Sequence, residues 1–86
     1  MTYKVHVETD GPVANYGMDL LRVGLPNRAA LEPGVADGMV NGNHTHYLIL
    51  SRNEKEAQQI GEKLVGVLTG LDFVVDATFQ DDDKLN

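Results

Sequence analysis

The stretch NEKEAQQIGEKLVGVLTG (Asn53–Gly70), followed at once by LDFVVDATF (Leu71–Phe79), decides the fold because the apolar period changes within it. Ala57, Ile60, Leu64, Val67 and Leu68 recur at spacings of three and four, which places them on one stripe of a helix. Asn53 can accept a hydrogen bond from the Glu56 amide, and the Glu54 and Glu56 carboxylates suit the positive first turn. Gly70 supplies the C-terminal stop. Beyond it Phe73, Val75, Ala77 and Phe79 alternate with Asp72, Val74, Asp76 and Thr78, so the chain turns from helix to strand.

Working outward, Tyr3, Val5 and Val7 alternate with Lys4, His6 and Glu8, predicting a first strand that Asp10-Gly11-Pro12 breaks. Val13, Gly17, Leu20, Leu21 and Gly24 follow at helical spacing, while Met18–Leu25 can also run extended; residues 13–25 are open between helix and strand. Asn27 can cap a short helical turn through Arg28, Ala29, Ala30 and Leu31. Asn41-Gly42 tolerates the positive φ of a type I′ turn, predicting a hairpin of strands near Val35–Val40 and His44–Ser51.

Written in order, these elements are βαββαβ. The expected fold is α+β, a ferredoxin-like two-layer sandwich in which two helices cover one face of an antiparallel sheet. Residues 1–80 are expected to form a single α+β domain, and 81–86 an acidic solvated tail. That layout serves many unrelated functions and does not choose among them.

Seven Lys and Arg against thirteen Asp and Glu give a net charge of -6, and the basic residues are scattered. Phosphate backbones are gripped by concentrated positive charge, so direct nucleic-acid binding is not expected. The chain has no cysteine, which excludes disulfides and thiolate chemistry and makes the cytoplasm the expected location. The longest apolar run, Tyr47–Leu50, is too short to span a membrane.

Four groups of residues invite a chemical reading. His44 and His46, two apart on a strand, leave one face together and can hold a divalent metal with Asp37 or His6 as third ligand; the alternative is a pair of polar residues beside a turn. The glycine-rich Gly34–Asn43 segment leads into a strand and lacks a Walker lysine, so it reads as structural. Asp72 and Asp76 lack any sign of the cleft that separates the pKa values of catalytic carboxylates. Ser51, the sole serine, sits before a helix cap rather than on a nucleophile elbow.

The surplus of hydrophobes on the sheet carries more weight. With Leu48 and Leu50 on one side of their strand, Tyr47 and Ile49 point to the other, and Val74 lies opposite Phe73 and Val75. Since helices cover one side only, Tyr47, Ile49 and Val74 are expected to form an interaction face. The leading expectation is a non-catalytic binding or regulatory module that pairs with itself as a homodimer or serves as an accessory subunit, with no cofactor. Two alternatives stand beside it: an acidic inhibitor that mimics nucleic acid, and a small histidine- or metal-dependent enzyme.

Overall fold

The computed structural model describes residues 3–26, 28–31 and 42–81. In chain order these form β1 (Tyr3–Thr9), a 3-10 turn (Val13–Asn15), α1 (Gly17–Leu21), β2 (Ala29–Leu31), β3 (His44–Ile49), α2 (Glu54–Leu68) and β4 (Val74–Asp81). The strands make one antiparallel sheet in the spatial order β2-β3-β1-β4. The fold is therefore a small α+β unit. Among the described residues no helix is long and apolar enough to cross a membrane.

Cross-strand register decides which side chains make the core. Tyr3 pairs with Ile49, Val5 with both Tyr47 and Phe79, and Val7 with Thr45 and Ala77. Apart from the partly buried Phe79 these side chains are buried, and α2 covers them through Ala57, Ile60, Leu64 and Leu68, while α1 adds Leu20. Asn53 caps α2 as its residue type suggests, its side chain accepting from the Glu56 amide at 2.8 Å. Val67 leaves the expected stripe: it is 39% exposed, and Gly61 takes a buried place against Phe79 instead. The helix buries one side only, and at 100° per residue Val67 falls at the margin of that side.

Of residues 13–25, which the sequence leaves open between helix and strand, 13–21 hold a 3-10 turn and the five-residue α1, and 22–25 are neither helix nor strand. The expected helical turn at Arg28–Leu31 is instead the edge strand β2, with Ala29 opposite Ile49 and Leu31 opposite Tyr47. Tertiary pairing overrides local propensity here: the Leu50 amide bonds to the Arg28 carbonyl at 2.7 Å and locks the segment to β3. The expected strand at Val35–Val40 lies outside the described residues, as do Asn41 of the expected hairpin bend and residues 82–86 of the tail. Asp81 still belongs to β4, paired with Tyr3.

The final strand contains one irregularity that changes the reading of its faces. The register to β1 slips between Glu8, opposite Asp76, and Thr9, opposite Val74. Val75 is the extra residue of this bulge and is 61% exposed. A bulge reverses side-chain parity on either side of it, so Val74 turns toward the core together with Ala77 and Phe79. Phe73, just before the strand, stacks on Tyr16 with centroids 4.5 Å apart.

Candidate functional site

The interaction face expected at Tyr47, Ile49 and Val74 is not where the structure puts it. Tyr47 and Ile49 are 0% and 2% exposed beneath the helices, and Val74 is half-buried against the same core. The reason is register with β1, whose inward row of Tyr3, Val5 and Val7 can only align with Thr45, Tyr47 and Ile49. The tyrosine tolerates this burial because its hydroxyl donates to the Leu20 carbonyl at 2.7 Å. Burial pushes the Tyr47 phenol up to about 12 from its usual 10.0.

With those side chains turned inward, the outer face of the sheet is polar. β1 contributes Lys4, His6 and Glu8; β3 contributes His44, His46 and Leu48; β4 contributes Asp76, Thr78 and Gln80. His6 stands opposite His46 on one side and Thr78 on the other, at the middle of the face. Its ring lies 4.9 Å from that of His44, nearly parallel at 21°, and 5.0 Å from that of His46, tilted by 49°. All three histidines of the chain thus meet on one surface. At the end of this cluster His44 Nε2 lies 3.6 Å from the Glu8 carboxylate, while His44 Nδ1 is shielded from water without a hydrogen-bond partner.

The metal expectation at His44 and His46 is placed by the structure on the same outer surface, with His6 in contact and Asp37 outside the described residues. Among the described residues no group of three or more His, Asp or Glu side chains is arranged to hold a metal ion. The rings of His6 and His44 present faces, not nitrogens, to one another. Chemically, this is a cluster of three imidazole rings, one pair stacked and one tilted, flanked among the described residues by Lys4, Glu8 and Asp76.

A shallow groove of about 330 Å³ elsewhere, lined by Pro26, Arg28, Glu56, Gln59, Ile60 and Lys63, contains the Arg28–Glu56 ion pair at 3.3 Å. Both partners are partly exposed, so the pair is mainly local cross-bracing of the turn before β2. Asp72 and Asp76 do not form a pair: Asp72 precedes β4 and Asp76 is on its outer face, both exposed. The sequence missed His6 as the centre of the face. The signal was present, since the outward row Lys4-x-His6-x-Glu8 and the row His44-x-His46-x-Leu48 both follow from period two.

No protein-family model, no curated protein and no solved structure matches this chain.

Proposed function

We propose that this chain is a small, non-catalytic binding module of the cytoplasm that acts by protein association through the outer face of its sheet. Its strand order, with β1 and β3 central and the helical elements between strands one and two and between three and four, is in this reading a ferredoxin-like arrangement. One observation carries the functional reading: every histidine of the chain, with Lys4, Glu8 and Leu48, gathers on the side of the sheet opposite the core packed under α2. Among the described residues the imidazoles and Leu48 supply aromatic and aliphatic surface at the middle of this face, and Lys4 and Glu8 the polar character of an interface rim.

Site-specific photo-crosslinking tests it. A photoreactive residue replacing Thr78 on the outer face should yield discrete protein adducts in the producing cell, whereas one replacing Gln58 on the exposed side of α2 should not. Equal adduct yields from the two positions, or none from Thr78, would overturn the reading.

A further inference from the structure

We propose that the groove between α2 and the turn before β2 binds a small carboxylate with an apolar body, gripped by Arg28 and Lys63. The groove is built on α2, across the sheet from the histidines, so this site is separate from the outer face.

The lining divides by chemistry. Pro26 and the buried Ile60 supply apolar wall, while Arg28, Glu56, Gln59 and Lys63 supply polar groups. Glu56, Gln59, Ile60 and Lys63 recur at spacings of three and four, and so share one side of α2. Long side chains on a helix lean toward its N-terminus, which directs the Lys63 stem back along this row. Arg28 stands at that end, because it pairs with Glu56.

Charge tells what the groove lacks. In a chain of net charge -6, its described lining carries two cations and one carboxylate. The Arg28–Glu56 pair runs through Nε at 3.3 Å, and a guanidinium has further N–H donors in its planar fork, so one carboxylate does not saturate it. Among the described residues nothing pairs with Lys63. A second carboxylate, from a ligand, would meet both unspent cationic groups, and the exposed Gln59 amide adds a neutral donor beside them.

The backbone of Arg28 points the same way. Its φ of 69° suits glycine and strains arginine, and the partly exposed pair with Glu56 contributes little in return. A strained position that keeps a bulky cation beside a groove is accounted for by what the cation binds. The planar fork selects a carboxylate, which it can grip with two parallel hydrogen bonds. Pro26 and Ile60 select an apolar body behind it. The volume of about 330 Å³ lies at the lower end of the roughly 300–1,000 Å³ of small-molecule sites, so the ligand is short.

Amide resonances of the isotope-labelled chain, titrated with sodium hexanoate at constant ionic strength, test the site. Those of Gln59, Ile60 and Lys63 should shift together and saturate, with a dissociation constant of roughly 1–10 mM for so few atoms in an open groove. Those of Thr78 and Gln80, on the outer face, should stay in place. Acetate lacks the apolar body and should bind at least about threefold more weakly. Hexylammonium has the same body with the opposite charge and should leave the groove resonances unmoved. Lys63→Met keeps the stem without the charge and should weaken hexanoate at least about threefold, whereas Glu56→Gln removes the competing carboxylate and should tighten it about threefold. Arg28→Gly accepts the left-handed backbone without strain and should abolish saturation below about 50 mM. The same spectra show whether each variant is folded; should Arg28→Gly be disordered, Lys63→Met and Glu56→Gln decide. No saturable shift up to about 50 mM hexanoate, equal shifts with hexylammonium, or unchanged affinity in Lys63→Met would overturn the site. Inorganic phosphate bound more tightly than hexanoate would overturn the choice of a carboxylate with an apolar body.

Discussion

Gly61 on α2 lies directly against the ring of Phe79 on β4, so close that a Cβ at position 61 would enter the ring's van der Waals envelope. One turn and a half further on, Gly66 has open space around it. Two glycines in one helix thus have opposite meanings. Removing a helical glycine stabilises by about 1 kcal/mol in open space, whereas overpacking a core contact costs about 1–3 kcal/mol. Gly66→Ala should raise the urea midpoint, and Gly61→Ala should lower it by about 1–2 kcal/mol of stability. In a Phe79→Ala background the Gly61→Ala change should turn neutral or favourable, as a double-mutant cycle in urea will read directly.

The buried phenol of Tyr47 gives a second expectation. Its pKa is raised by burial from 10.0 to about 12, so the folded state favours the protonated form. The stabilisation is complete below pH 10 and is lost as pH climbs toward 12, to the extent of roughly 2–3 kcal/mol. Tyr47→Phe should lower stability at neutral pH by about 1 kcal/mol, for the lost bond to the Leu20 carbonyl, and should remove this alkaline step. Denaturation midpoints measured between pH 8 and about 11.5 for both proteins check it. Equal alkaline slopes would show that another group is responsible.

Asn53 is the only side-chain cap found at a described helix start, with Oδ1 accepting from the Glu56 amide. Asn53→Ala should cost about 1 kcal/mol, and Asn53→Asp should retain most of it because a carboxylate accepts the same bond at the positive end of the helix. Thermal unfolding followed at a helix wavelength distinguishes the two.

Much of this architecture was legible in local pattern. The period-two rows of Tyr3–Val7 and the cap and stripe of α2 are short-range signals, and the structure reproduces them. What failed was parity. Tyr47-Leu-Ile-Leu50 is apolar throughout and carries no alternation of its own, so the run by itself does not tell which pair faces inward; pairing with β1 turns Tyr47 and Ile49 to the core. The bulge at Val75 is similarly invisible, because Phe73-Val-Val offers hydrophobes of both parities. Both errors hid the same fact. The polar His44-x-His46 row should have marked the outer face, and extending it by two assigns Leu48, not Tyr47 or Ile49, to that side.

Arg28 supplies the last expectation, since it is the sole non-glycine residue with positive φ among those described, at 69°. Its left-handed backbone ends the turn closed by the Ala29 amide and the Pro26 carbonyl and hands the chain into β2. Such a conformation costs an ordinary side chain about 1 kcal/mol or more, and a β-branched one still more. Against that stands the Arg28–Glu56 ion pair, partly exposed and worth about 0–1 kcal/mol. The strain and the ion pair nearly offset each other, so Arg28→Gly should change stability by less than about 1 kcal/mol in either direction. Arg28→Val loses the same ion pair and deepens the strain, and should cost about 2 kcal/mol. Because the Arg28 carbonyl accepts from the Leu50 amide, the penalty should appear first as faster hydrogen exchange at Leu50, the point where the edge strand is tied to β3. A Leu50 amide that exchanges no faster in Arg28→Val than in Arg28→Gly would mean that this turn does not hold β2 in register.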